Sequence, residues 1–207
     1  MVFIGSQMYV GKAMMAANLR RMLRAFTQSL AIVVCAVCSA QEPQVGNAQA
    51  IVYTRSVAVP LNGLLLHDKV ADAWTWTFGR EPGAKLLRTD RGAGLIEGSA
   101  RVDFRSEMLT LREESTGSIR YHVLLNVTAG ECRITVNGLE HTGNRNTARG
   151  GVHLGRLTRS EDPSVKVRGA GAANGRRLYA EVKAAADQRI VALLQSFEAR
   201  LRASAEP

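Results

Sequence analysis

The chain has 207 residues, 46% apolar and 22% charged, a balance that folds and does not stay disordered. Lys and Arg outnumber Asp and Glu by 27 to 18, a net +9, and three cysteines are too few for a disulfide-stapled scaffold. No apolar run approaches the roughly 20 residues of a membrane span, which excludes a multi-span transporter.

Residues 1–40 contain Lys12, Arg20, Arg21 and Arg24 and no acid. The apolar run Leu30 to Cys38 follows, then Ser39, Ala40 and the polar stretch Gln41 to Gln44. Positive, apolar, small is the order of a secretory signal peptide, with cleavage expected after Ala40. Met14, Met15 and Met22 are alternative starts. Cys35 and Cys38 each follow Val, where lipoprotein processing favours a smaller residue, so lipidation is the minor reading. The expected address is export, periplasmic or extracellular, with no transmembrane span in the mature chain. Removing the leader leaves 167 residues, 23 basic and 18 acidic, with Cys132 as the sole thiol.

Residues 41–50 read as a polar leader. Ile51 to Val59 alternates as a first strand, and Pro60 to Gly63 breaks it. Asn62 is placed to cap a helix carrying Leu66, Val70, Ala73, Trp74 and Phe78 on one face, stopped by Gly79 and Pro82. Ala84 to Thr89 is a short strand, and Asp90 to Gly94 a turn. From Ile96 the even positions Ile96, Gly98, Ala100, Val102 and Phe104 point one way, and Glu97, Ser99, Arg101, Asp103 and Arg105 the other. Met108 to Leu111 extends this strand, and Arg112 to Ser118 is a loop. Tyr121, Val123, Leu125 and Val127, then Cys132, Ile134 and Val136, form the inward faces of a hairpin turning at Ala129 and Gly130. A C-terminal helix over 176–204 carries Leu178, Val182, Ala185, Ile190, Leu193, Phe197 and Leu201 as its stripe. The expected fold is α+β, with helices on one face of an antiparallel sheet of about five strands over residues 51–140.

Residues 141–175 read as a basic Gly/Arg-rich loop, with a short hairpin possible around Val165 to Val167. From His141 to Arg177 there are eight bases: Arg145, Arg149, Arg156, Arg159, Lys166, Arg168, Arg176 and Arg177. They face two acids, Glu161 and Asp162. Two readings stand: a solvated loop, the ordinary one, or a polyanion-binding strip led by Arg145, Arg149, Arg156 and Arg159. The segment lacks stacking aromatics, so nucleic acid is not an expected partner.

Catalytic motifs are not found. Gly92, Gly94 and Gly98 are followed by a strand where a dinucleotide loop needs a helix, and Gly169, Gly171 and Gly175 precede a helix with no second strand. His67, His122, His141 and His153 are scattered, without ligand spacing, and His67 reads as a surface group. Asp68 and Asp72 read as a charged helix face. Cys132 points toward the core and reads as inert packing. Trp74 joins the helix stripe. Trp76 lies off it, as a surface aromatic that either touches a ligand or, as the better reading, covers the sheet edge. No catalytic, metal or cofactor residue is assigned.

Asp72, Ala73 and Trp74 on the helix, Gly94 to Gly98 opening the long strand, Tyr121 to Val127, and Gly130 to Arg133 together resemble the domain of unknown function 4468 family of exported Bacteroidota proteins. The match runs from about Val52 to Val136. Ala129 and Cys132 depart from the charged turn and aromatic usual there. The resemblance implies a TBP-like fold, a curved antiparallel sheet backed by helices, and no activity. Its open face would carry Glu97, Arg101, Asp103, Arg105, Arg120 and Asn126, without the apolar wedges that a minor-groove binder inserts. The sequence thus points to an exported, non-enzymatic envelope protein that binds an envelope protein or anionic glycan. Its candidate surfaces are the open face, with Arg101, Arg105 and Arg120, and the basic loop. The alternatives are a periplasmic enzyme drawing on His122, Asp103 and Cys132, or a structural envelope component.

Overall fold

The structure is a computed structural model and describes residues 49–107, 116–147, 150–163, 165, 167 and 171–205. The expected signal peptide, the extension Met108 to Leu111, and Arg149, Lys166 and Arg168 lie outside the described residues. The elements run β1 (Tyr53–Ala58), α1 (Gly63–Trp76), a 3₁₀ turn (Phe78–Arg80), β2 (Lys85–Asp90), β3 (Leu95–Arg105), β4 (Thr116–Thr128), β5 (Glu131–Gly143), β6 (Gly155–Arg156) and α2 (Ala172–Ala205).

The strands form one antiparallel sheet in the order β1-β5-β4-β3-β2, with the short β6 added to β5. This is the expected α+β architecture, with five long strands. The alternations decide the faces. Ile96, Ala100, Phe104, Tyr121, Val123, Leu125, Cys132, Ile134 and Val136 are all buried beneath the two helices. The Asn62 side chain accepts the Leu65 N–H at 2.9 Å, capping α1 as expected and contributing about 1 kcal/mol. Leu66, Val70, Ala73 and Trp74 are its buried stripe, and Phe78 follows in the 3₁₀ turn. Gly98 leaves room for the Trp74 indole, whose ring would lie 2.3 Å from any Cβ there.

Several expectations are corrected. Thr116 to Ser118 belong to β4, because their backbone pairs with Asp103 to Arg105. The loop expected from residue 141 starts later and ends sooner: His141–Gly143 continue β5, and α2 begins at Ala172. The segment also contributes core, since Leu154, Leu157 and Val167 are buried. It is tied down by Tyr179 of α2, whose hydroxyl accepts the Thr158 N–H at 2.7 Å and donates to the Thr158 carbonyl at 3.3 Å. Of the hairpin expected around Val165 to Val167, the described Val165 and Val167 belong to no strand. The α2 stripe runs through Tyr179, Ala186 and Leu194 as well as the expected positions, and Ala185 is only half-buried.

The phase of β5 changes within the strand. His122 pairs with Asn137, but Arg120 pairs with Glu140, so one extra residue sits between them. Gly138 takes φ +66° there, which is the conformation a G1-type bulge requires. The inward positions shift from Cys132, Ile134 and Val136 to Leu139 and His141. A second irregularity between Leu86 and Arg88 breaks the β2 pairing.

Candidate functional site

Both helices cover one face of the sheet, and among the described residues no element covers the other. The registers align the residues of that open face into rows crossing the strands. One row runs Arg101 (β3), Arg120 (β4), Glu140 (β5), Arg156 (β6). At about 4.8 Å per strand, its ends are about 14 Å apart. The row on one side is Asp103, Ser118, Thr142; on the other it is Lys85, Ser99, His122, Asn137. Beyond the latter lie Arg88, Glu97, Leu124, Thr135 and Thr54.

Arg101 and Arg120 stand directly opposite one another with no acid between them. Like charges in that position destabilise a strand pair. Arg101 is partly relieved by Asp103, 3.3 Å away along its own strand, and its stem lies against Gly83, which has φ +63°. Arg120 stands opposite Glu140 on its other side, without a close ion pair among the described residues. The two central rows therefore hold Lys85, Arg101, Arg120 and Arg156 against one acid, Glu140.

The other expected contacts do not join this band. Arg105 shares the open face but lies two rows away, beside Thr116. Arg145 is exposed in the turn after β5. Arg159 is held at the start of the domain, its N–H donating to the Gln49 carbonyl at 2.9 Å and its guanidinium to the Gln49 side chain at 3.3 Å. Trp76 is 45% exposed, and its neighbours are helical, which corrects the expectation that it covers the sheet edge. Its indole N–H donates to Asp72 at 3.2 Å, and Arg80 and Arg200 lie 4.2 and 5.1 Å from its ring centre.

Lys85 and Glu140 were missed as site residues. Straight alternation from Val136 sends Glu140 inward; only the bulge brings it out. Gly138 in mid-strand was the available signal.

The groups named for an enzyme do not converge. Cys132 faces the helices, while His122 and Asp103 face the open side. Burial, then the charge of Glu131, pushes the Cys132 thiol up to about 12, where little thiolate forms. His67 is buried, not a surface group; positions 66, 67, 70, 73 and 74 share one helical face. Among the described residues, neither its ring nitrogens nor those of His141 find a hydrogen-bond partner, and the buried Tyr121 hydroxyl also lacks one. Glu81, almost fully buried, receives two hydrogen bonds from Arg189 of α2, at 2.5 and 3.1 Å. Burial, then the Glu81 carboxylate, raises the Tyr121 hydroxyl above its usual range. Among the described residues no group of acids, histidines or cysteines is arranged to hold a metal ion, and no helix is long and apolar enough to cross a membrane.

No family model matches the chain, and no curated protein matches it. Among solved structures it is similar to a DUF4468 family protein from Bacteroides ovatus, at 16% identity and TM-score 0.44, covering 77% of this chain and 91% of that one. It is also similar to a TBP-like protein from Parabacteroides distasonis, at 9% identity and TM-score 0.48, covering 74% and 96%. A third is the Zhui aromatase/cyclase from Streptomyces sp. R1128, at 11% identity and TM-score 0.32, covering 74% and 94%. The first two carry the family and fold names that the sequence motifs resemble.

Proposed function

We propose that the protein is an exported, non-enzymatic binding module of the cell envelope, and that its uncovered sheet face holds an anionic partner. One observation carries this reading: Arg101 and Arg120 face each other on a surface that nothing described covers. A like-charge pairing that Asp103 and Glu140 only partly offset fits a surface kept for function. A bound carboxylate, phosphate or sulfate between the two guanidiniums turns the repulsion into charge-assisted hydrogen bonds. The flanking rows supply hydroxyls and amides and no competing aromatic core. The basic residues of the 145–159 segment outside the band, Arg145 and Arg159, act as diffuse attraction, which raises the encounter rate.

The test is retention on immobilised dextran sulfate over a salt series. Retention should fall with salt, weaken on Arg120→Thr and strengthen on Glu140→Gln, which removes the one acid of the band. No retention even at low salt, or no response to either substitution, overturns the reading. N-terminal sequencing of the exported protein should give a start near Gln41; retention of residues 1–40 in the mature protein contradicts export by cleavage.

A further inference from the structure

We propose that the partner of the open face is an acidic polysaccharide lying across the strands, along the band from β2 and β3 to β6. This rests on the reading above and narrows it. Three features of the band select a glycan over an acidic protein segment.

The first is its direction. The cations are ordered across the sheet, Arg101, Arg120 and Arg156, with Lys85 in the next row. Along β4 the charge does not repeat: Ser118, His122 and Leu124 flank Arg120 on that face. Along β3, Asp103 stands between Arg101 and Arg105, so a linear polyanion meets the arginine row by running perpendicular to the strands, over about 14 Å. It cannot then pair as an added strand, so side chains alone do the reading.

The second is what lies between the charges. Ser99, His122 and Asn137 line one side of the arginine row, and Ser118, Thr142 and Asp103, which pairs with Arg101, the other. Hydroxyls, an amide and an imidazole both donate and accept hydrogen bonds, which suits the many hydroxyls of a sugar chain. Guanidiniums supply the planar, two-pronged contact to its carboxylates or sulfates.

The third is what the face lacks. Protein interfaces are anchored by buried aromatic or aliphatic residues in their centre. Among the described residues, every Phe and Tyr ring of the sheet strands points to the helix side: Tyr53 pairs with Val136, and Phe104 and Tyr121 are buried there. Within the centre of the open face the apolar side chains are Leu124 and Leu95, one and two rows beyond the His122 row and both half-buried, while the exposed Val52, Leu86 and Leu87 lie at the two edges of the sheet, at β1 and in β2. With the single imidazole of His122 as its one ring among the described residues, the face also lacks the run of stacking platforms that single-stranded nucleic acid uses. Glu140 within the row and Asp103 beside it oppose any anion; Lys85, Arg101, Arg120 and Arg156 outnumber them.

The experiment compares four probes on the full chain at one ionic strength: polygalacturonate, dextran sulfate, neutral dextran and poly-glutamate. The acidic polysaccharides should bind at least about tenfold more tightly than poly-glutamate, and neutral dextran should not bind. Arg120→Thr should weaken polysaccharide binding by on the order of tenfold, the loss of one charged hydrogen-bonding group. Ser99→Ala and Asn137→Ala, which leave the charge unchanged, should weaken the polysaccharides and leave poly-glutamate unaffected. Equal binding of poly-glutamate and polysaccharide overturns this inference while leaving the anionic reading intact. Failure of every charged probe overturns both. If Asn137→Ala disturbs the adjoining bulge, Ser99→Ala alone decides the point, and an unchanged circular-dichroism melt confirms that the variant is folded.

Discussion

Lowering the pH should destabilise this protein through His141. The ring is 3% exposed and lies edge-on to Phe104, their centres 5.7 Å apart. Neither nitrogen has a hydrogen-bond partner among the described residues. Gly117 lies so close that a Cβ there would sit 2.6 Å from Nε2. Across β5 from it, Ile119 and Gly155 carry no charge, and Glu140, Arg120 and Arg156 point to the open face. Glu181 of α2 is occupied by Ser106 and the Glu107 N–H. The titratable group that acts on His141 is His153, whose Nδ1 accepts the Gly143 N–H at 3.3 Å. Burial, then His153, lowers the imidazole from 6.5 to about 4. The folded value is the depressed one, so the unfolded chain takes up the proton first. The stability it contributes is present above about pH 6.5 and is lost as the pH falls toward 4. The full loss is about 3 kcal/mol, and about 2 kcal/mol of it is gone by pH 5. Urea unfolding near pH 7.5 and near pH 5 measures it. His141→Leu removes the titration and the unpartnered N–H while keeping an apolar side chain. Its loss over the same interval should be about 2 kcal/mol smaller than that of the native chain. Equal losses would refute the neutral, unpartnered burial of His141.

Three other perturbations follow from the geometry. Arg189→Ala strands the Glu81 carboxylate in the core and should cost about 3 kcal/mol in urea unfolding. Glu81→Gln leaves a half-exposed guanidinium that water can solvate and should cost less; the opposite order would show that Glu81 is not the buried partner. Cys132 in the native chain at neutral pH should be alkylated only as fast as the protein unfolds, read by peptide mass mapping; labelling at a free-thiol rate contradicts its burial. Gly138→Ala places a side chain at φ +66° and 3.0 Å from the His122 ring, and should cost about 1 kcal/mol or more in thermal unfolding. An unchanged melt would mean that the bulge does not need glycine.

The elements that short-range chemistry dictates were legible in the sequence. The Asn62 cap, the α1 stripe, the inward alternation of β3 and the β4–β5 hairpin each follow from neighbours within a few residues. What was not legible depends on distant partners. Thr116 to Ser118 are a strand only because Asp103 to Arg105 pair with them. Leu154 and Leu157 are core because β5 and Tyr179 hold the segment; in isolation its glycines and arginines read as a loop. His67 fitted the helical stripe by spacing, and its polarity alone argued against burial. The arginine band shows the limit most clearly. Arg101, Arg105 and Arg120 were visible as outward residues, but which of them stand opposite one another is a matter of register. Registering Arg156 and Glu140 beside them needed a bulge that breaks strict alternation.

Arg120→Thr is the sharpest test of the central claim that the open face is built for an anion and not for the fold. Thermal and urea unfolding and retention on dextran sulfate should be measured on the same preparation. Removing Arg120 relieves its opposition to Arg101 but also gives up its cross-strand attraction to Glu140, and Thr is a good strand former on an exposed position, so stability should change by no more than about 0.5 kcal/mol. Polyanion binding should weaken by on the order of tenfold in the same variant. A variant that loses stability and keeps its binding would contradict the account.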